Sequence, residues 1–289
     1  MIMSSETYRF KIGAFQCIAV SDGTFTYSHP SSFLFTNAPK ERLDQKLREH
    51  NIQPEQWTEW ISSYTCAVIN TGRHQVLVDT GAGGLGSNTG RLLQNLLAER
   101  ITPADIDIVI LTHAHPDHIG GSTVGEAKPA FPRARFVMRR KEWDFWTSML
   151  NLAELKIDES IKALIITVAR LNLSAIRDQL DLIEHETDIV PGIRAIAAPG
   201  HTPGHMALDI SSKGESLLIL SDAVIHPIHM ESSDWYSAVD LIPEQAVNTR
   251  RRLLKKAVDK KSKVLVFHFP FPALGHVVRS AEAWRWQRI

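Results

Sequence analysis

Short apolar runs alternate with amphipathic stretches along this chain, and each kind predicts an element. Phe10 to Val20 is rich in β-favouring residues and stops at Ser21-Asp22-Gly23, which reads as a strand entering a turn. Thr65 to Asn70 and Gln75 to Val78 read as two strands joined at Thr71-Gly72-Arg73-His74, and Ile106 to Leu111 as a buried strand. Phe136 to Met138, Ile193 to Ala198, Met206 to Ile210, Leu217 to Leu220 and Val264 to Phe267 continue the series. Helical character marks Pro39 to His50, with Leu43 and Leu47 on one face, then Thr89 to Glu99 and Lys141 to Leu150. Pro243 suits the first turn of a helix running to about Asp259. Leu152 through Leu182 is helical in composition, without Gly or Pro, and interrupts the strands where a cap over a site could lie.

The polar residues that end the apolar runs repeat in kind: Asp79, His113, His201, Asp222 and His268. Strand ends are where α/β proteins collect their chemistry, so this recurrence carries more than any single position. The densest stretch is Thr112-His113-Ala114-His115-Pro116-Asp117-His118-Ile119-Gly120-Gly121. If the chain leaves the Ile106 to Leu111 strand extended and then turns, His113, His115 and Asp117 project to one side and His118 enters the same space. Imidazoles and a carboxylate crowded in this way are costly to bury unless a cation holds them. His201 stands in Pro199-Gly200-His201-Thr202-Pro203-Gly204-His205, where Gly and Pro fix a tight turn, and His205 competes with it as a ligand. With Asp222 and His268 these make seven candidate ligands, enough for two cations with a water site left open. Asp79 ends its strand before a Gly-rich loop and reads either as a support for a neighbouring ligand or as a simple Asp turn.

Composition narrows the partners. The 289 residues carry 32 basic and 32 acidic side chains, so no overall field draws the chain to nucleic acid or an anionic membrane. A small neutral or amphiphilic substrate fits better. Cys17 and Cys66 lie in strand-like apolar segments and read as buried, unreactive thiols. The N-terminus, Met1 to Glu6, shows no basic region followed by an apolar core, and a cytoplasmic location is expected. The basic run from Arg250-Arg251-Arg252 to Lys263 reads as a solvated face.

The pattern His113-x-His115-x-Asp117-His118, followed by His201, Asp222 and His268, resembles the metallo-β-lactamase superfamily, and Leu77-Val78-Asp79-Thr80-Gly81 resembles its upstream acidic motif. The resemblance spans roughly Thr65 to His276. It implies a four-layer αββα sandwich with the metal site at one edge of two facing sheets, formed here by one domain over residues 1–289 with a helical insertion at about 139–185. It also implies a ligand set, with His113, His115 and His201 on one metal, Asp117, His118 and His268 on the other, Asp222 bridging both, and Asp79 behind them. Within the superfamily, the tail from His268-Phe269-Pro270-Phe271-Pro272 to His276 is similar to the methyl parathion hydrolase branch and its lactone-cleaving relatives. One departure stands out. In acyl-homoserine lactonases a Tyr follows the bridging Asp and helps orient the substrate carbonyl, whereas Asp222-Ala223-Val224-Ile225-His226 has none. His226 either fills similar space or is an ordinary loop residue.

The expected activity is hydrolysis of a carboxylic ester or lactone by hydroxide formed between two divalent cations, with Asp117 as ligand and proton relay to the leaving group. Imidazole and carboxylate without thiolate suit zinc, iron, manganese or cobalt, and zinc is the first choice among them. The same site would serve a phosphotriester, for which aromatic walls such as Trp143, Trp146, Phe269 or Phe271 would be useful, although Trp143, Phe145 and Trp146 equally suit a core. A mononuclear iron sulfur dioxygenase is the alternative of another class. The aromatic stretches Ser31 to Phe35 and Trp284 to Trp286 read as core or as the contact of a homodimer, and the first of them also as a loop at a substrate mouth.

Overall fold

A computed structural model describes residues 6–148, 152, 155, 157–280 and 283–289. The first half of the chain builds a sheet of β1 (Thr7–Ile12), β2 (Phe15–Ser28), β3 (Glu59–Asn70), β4 (Gln75–Val78), β5 (Ile108–Ile110), β8 (Arg135–Arg139) and β9 (Leu180–Ile183), in that order across the sheet. Between β5 and β8 lie two-residue strands β6 (Thr123–Val124) and β7 (Lys128–Pro129), paired only with each other. The second sheet takes β10 (Asp188–Val190), β11 (Ile193–Ala197), β12 (Met206–Ser212), β13 (Glu215–Ile219), β14 (Lys263–Leu265), β15 (Leu274–Ser280) and β16 (Ala283–Arg288), also in chain order. In the two sheets β4, β5, β8 and β9 run parallel to one another, as do β13 and β14, and the remaining neighbours are antiparallel.

The helices are α1 (Pro30–Leu34), α2 (Lys40–Glu49), α3 (Leu92–Ala98), α4 (Pro116–Ile119), α5 (Arg140–Thr147), α6 (Glu159–Ala175), α7 (Ile228–Glu231) and α8 (Pro243–Lys260). The sheets face each other through one apolar layer that includes Ala67, Ile69, Val76 and Ile110 from the first and Leu208, Ile210, Leu217 and Ile219 from the second. Strand alternation turns the neighbouring residues outward. Val68, Leu77, Val109 and Phe136 pack under α3, α5 and α6, while Ile196, Ala207, Leu218 and Val264 pack under α8. Both outer faces are therefore covered, giving the αββα order. Among the described residues no helix is long and apolar enough to cross a membrane.

Several expectations need correction. Phe10 to Val20 is two strands, because Gly13-Ala14 turns between β1 and β2. Ser21-Asp22-Gly23 does not end β2, which continues to Ser28 with a register shift between Ser21 and Gly23. Asp22 is drawn inward there and accepts the amides of Ala82 at 2.8 Å, Leu92 at 3.0 Å and Gly90 at 3.2 Å. The segment read as helical through Leu182 is helical over Glu159–Ala175, after which Leu180–Ile183 joins the first sheet beside β8. Met149 and Leu150, the end of the helix expected from Lys141, and Met1 to Ser5 lie outside the described residues, as do 151, 153, 154 and 156 in the stretch expected to be helical.

Arg250 is no part of a solvated face. It is fully buried, and its guanidinium donates to the carbonyls of Ala223 at 2.8 Å, Ser233 at 3.2 Å and Trp235. Of the aromatic stretch, Leu34 and Phe35 are core, packed with Leu43, Leu47, Ile228 and Trp235.

Candidate metal centre

Each ligand-type side chain reaches the same edge of the sandwich because a strand ends there. After β4 the backbone enters the left-handed region at Asp79, with φ 58°, which an Asp tolerates better than most residues. The Asp79 carboxylate then accepts Thr112 N at 2.8 Å and Thr112 Oγ1 at 2.9 Å, clamping the start of the next strand-end loop. His113 to His115 leave β5 extended, and Pro116 opens the single turn of α4, placing Asp117 and His118 on its first turn. His201 sits in the turn between β11 and β12, Asp222 after β13 and His268 after β14. The glycines of the His201 turn are dictated by close packing: a Cβ on Gly200 would lie 2.1 Å from Ala246 N of α8, and one on Gly204 2.1 Å from Glu142 N of α5.

All seven predicted side chains converge. Atoms of His113, His115 and His201 form one group, atoms of Asp117, His118 and His268 another, and His113, His118 and Asp222 join them, each set lying within 4.8 Å. Asp222 touches both groups: its Oδ2 is 3.3 Å from His201 Nε2 and 3.0 Å from His268 Nε2, and its Oδ1 is 3.1 Å from His118 Nε2. His115 Nδ1 and His201 Nε2 approach to 2.8 Å, and Asp117 Oδ2 lies 3.7 Å from His118 Nε2 and 3.4 Å from His268 Nε2.

The electrostatics suit cations. Burial, then the neighbouring imidazole of His118, pushes His113 well below the usual histidine range, and burial with His201 does the same to His115, so both stay neutral with lone pairs free. Burial would raise the Asp222 carboxyl, but His268, His118 and His201 together hold it ionised, well below the usual range. Among the described residues His113 Nε2, His118 Nε2 and Asp222 Oδ1 are buried and none is in a hydrogen bond of good geometry, although the last two lie 3.1 Å apart, and all three residues belong to one of the groups that gather within 4.8 Å. Orphaned acceptors of this kind are what a bound cation would satisfy.

The remaining nitrogens are oriented from behind. Asp79 Oδ2 accepts from His118 Nδ1 at 2.8 Å, Asp240 Oδ1 from His201 Nδ1 at 2.9 Å, and Ser62 Oγ pairs with His268 Nδ1 at 2.9 Å. His205 is not in the cluster. Its Nδ1 donates to the Ala198 carbonyl at 2.9 Å while its Nε2 accepts Asp222 N at 3.2 Å, and burial lowers its pKa to about 3. It braces the Asp222 loop through the backbone. His226 lies among Phe35, Trp57 and Trp60, with Nδ1 accepting Ile228 N at 3.2 Å, and does not line the cavity.

Glu142 was not expected. Fully buried on α5, it accepts Ala114 N at 3.1 Å and Trp146 Nε1 at 2.6 Å through one oxygen, and Thr202 Oγ1 at 2.6 Å and Gly204 N at 2.9 Å through the other. One carboxylate thus ties the His113-x-His115 loop to the His201 turn. Asp240 was also missed: neither residue belongs to a motif, and only a buried position in three dimensions marks them.

The cluster floors a cavity of about 450 Å³. Its walls include the aromatic side chains of Phe25, Tyr27, Phe33, Trp60 and Tyr64 and the aliphatic ones of Leu85, Ile157, Ile161, Leu164 and Ile165. The aromatics expected as walls are elsewhere: Trp146 and Phe269 are fully buried, and Trp143 and Phe271 pack against the two cores. The aromatic wall comes from β2, β3 and α1 instead.

A two-sheet sandwich with buried imidazoles and carboxylates gathered at its strand ends defines a metallo-hydrolase. The chain belongs to the metallo-β-lactamase superfamily, whose family model matches residues 62–268. It is 28% identical over 241 residues to an N-acyl homoserine lactonase of Bacillus thuringiensis, covering 76% of this chain and 83% of that one, and 27% identical to one of Bacillus cereus, covering 70% and 78%. Among solved structures it is similar to AidC, a dizinc quorum-quenching lactonase in complex with a product, N-hexanoyl-L-homoserine, with TM-score 0.90 and 26% identity over 99% of this chain and 98% of that one. It is also similar to the hydrolase AbOPH, with TM-score 0.87 and 26% identity over the same shares.

Proposed function

We propose that this protein is a dinuclear zinc hydrolase that opens a lactone or cleaves an ester bearing an acyl chain. The observation that carries this is the continuity of one cavity, in which His115, Asp117, His201, Asp222 and His268 meet an aliphatic wall of Leu85, Ile161, Leu164 and Ile165. An acyl chain laid on that wall brings its carbonyl to the cluster. His113, His115 and His201 would hold one cation, Asp117, His118 and His268 the other, with Asp222 shared. Such a pair supplies a Lewis acid for the carbonyl and lowers the pKa of water, so that no Ser or Cys nucleophile is needed.

The chain's own groups do the rest. Asp117, whose side chain is 16% exposed against 4% for Asp222, is the carboxylate of the cluster most open to the cavity. In this reading it passes a proton to the departing alkoxide. Asp79, Asp240 and Ser62 hold three imidazoles in the tautomers that present the opposite nitrogen. The apolar walls exclude water from the rest of the substrate.

The test is metal analysis of the purified protein together with assays against N-hexanoyl-homoserine lactone, an aryl ester and an aryl phosphotriester. Two zinc ions per chain and lactone or ester turnover are expected, and Asp117→Asn should weaken the second metal and, compared at full metal occupancy, lose about 10²-fold in kcat. A single iron per chain would replace this reading with that of a sulfur dioxygenase. The aromatic wall of Phe25, Tyr27, Phe33 and Trp60 favours one second reading, a phosphotriesterase, and turnover of the phosphotriester alone would select it.

A further inference from the structure

Two tyrosines in the cavity wall have no part in the cluster, yet they are arranged as a donor. Tyr27 of β2 and Tyr64 of β3 lie on adjacent strands, and their hydroxyls are 2.7 Å apart. Both line the cavity beside Asp117, Asp222 and His268. Two hydrogen-bonded phenols carry two protons, and the bond between them uses one. Among the described residues neither hydroxyl is hydrogen-bonded to any other group, so the second proton has no acceptor within the fold. On a wall that is mostly hydrocarbon and ring faces, with Thr26 and Ser28 as its other hydroxyl-bearing residues, that proton is available to an oxygen that enters the cavity.

The pair is held rigidly. The Tyr27 ring stacks on Phe33 at 4.9 Å and Trp60 at 5.3 Å and meets Phe25 edge-on at 4.9 Å. The Tyr64 ring stacks on Phe267 at 5.6 Å and meets His268 edge-on at 5.6 Å, and Phe267 in turn stacks on His118 at 3.9 Å. The hydroxyls are therefore fixed relative to the Asp117, His118 and His268 group. Either hydroxyl can donate in this bond; when Tyr64 donates to Tyr27, the proton left over is that of Tyr27, in the cavity that both residues line.

We propose that Tyr27 is a catalytic residue, donating a hydrogen bond to the carbonyl oxygen of the acyl substrate as negative charge develops on it, with Tyr64 as the residue that positions it. This rests on the hydrolytic reading above. No bond to tyrosine forms or breaks: the oxygen of water adds to the carbonyl carbon, the ester C–O bond breaks, the leaving oxygen takes a proton and departs as an alcohol, and the phenol proton stays on Tyr27. A preorganised donor aimed at developing charge acts on kcat more than on KM.

The experiment measures kcat, KM and metal content for Tyr27→Phe and Tyr64→Phe on N-hexanoyl-homoserine lactone and an aryl ester, with thermal unfolding to verify the fold. Tyr27→Phe should lower kcat about 10²-fold with KM within about threefold and metal content unchanged. Tyr64→Phe should lower kcat about tenfold, since Tyr27 keeps its hydroxyl but loses its partner. A Tyr27→Phe enzyme with wild-type kcat, or one altered only in KM, overturns the catalytic role while leaving the hydrolytic reading in place. A wild type that turns over neither substrate overturns both. Should Tyr27→Phe fail to fold, Tyr64→Phe decides alone, and wild-type kcat in it overturns the pairing.

Discussion

The floor and the aliphatic wall of the cavity are built on different terms. Each imidazole of the floor has its second nitrogen fixed or its backbone clamped, and the clamps are buried polar groups: Asp79 on His118, Asp240 on His201, Ser62 on His268, and Glu142 across two loops. On the wall, Ile161 and Leu164 of α6 remain 43% and 50% exposed, and Leu85 42%. A buried polar network is accurate only while it is complete, because each lost partner leaves a desolvated group behind. Half-exposed aliphatic side chains tolerate replacement at the price of some apolar area. Changes to the floor should therefore register in metal retention and kcat, and changes to the wall in KM and chain-length preference.

The most severe test of that contrast is Glu142→Gln. An amide turns its NH2 group either toward Ala114 N and Trp146 Nε1 or toward Gly204 N and the Thr202 hydroxyl, which can then accept, so one or two buried donors are left unpaired at about 1–3 kcal/mol each. We expect unfolding to be about 2–4 kcal/mol easier and the cation proposed for His113, His115 and His201 to be lost on dialysis, with the one proposed for Asp117, His118 and His268 kept. Metal stoichiometry and denaturant unfolding measure both, and two firmly held ions in the variant would show that the clasp does not serve the ligands.

Asp240→Asn comes next. It removes the charge behind His201 and leaves the buried Arg250 guanidinium, 3.8 Å away, without its counter-charge. Metal affinity and kcat should fall about 10–100-fold, read by chelator competition, and unchanged affinity would assign Asp240 to Arg250 alone. On the wall, Leu164→Ala should raise KM about two- to fivefold for a decanoyl lactone and leave a butanoyl lactone unaffected, given about 0.8 kcal/mol per buried CH2 and a residue half in solvent. An equal effect on both chain lengths would place the acyl chain elsewhere.

What the sequence discloses follows the same division. The side chains gathered at the candidate site were legible because their types recur where apolar strands stop, so that Asp79, His113, His201, Asp222 and His268 could be read together. The strands of the inter-sheet layer were legible from their apolar runs. Glu142 was not, since a Glu beside Trp143 on a short amphipathic helix carries no local mark of burial. Arg250 was readable in principle. Ala246, Thr249, Arg250, Leu253, Leu254 and Ala257 share one buried face of α8 at helical spacing, and attention to the basic run alone hid the periodicity. The edge strand β16 alternates Trp with Arg and Gln and lacks an apolar run, while β9 follows a helix with no Gly or Pro between, so both escaped reading from pattern.

His226 belongs to neither floor nor wall, and the smallest expected effect on activity comes from it. It is boxed by Phe35, Trp57 and Trp60, and burial, with the nearby His50 adding to it, lowers its pKa to about 3. In the unfolded chain the same imidazole titrates near 6.5. Between those values the unfolded state binds the extra proton, so the contribution is fully present above about pH 6.5 and is lost progressively as pH falls toward 3. His226→Asn keeps an acceptor for Ile228 N and removes the titration. The variant should lose about 2 kcal/mol less stability than the wild type between pH 7 and pH 5, measured by urea unfolding, with kcat at pH 8 within about twofold. If the two pH dependences coincide, the imidazole is hydrated in the folded state and the aromatic box is open. If kcat falls with unchanged stability, His226 reaches the substrate, and the division between floor and wall would have to be redrawn through it.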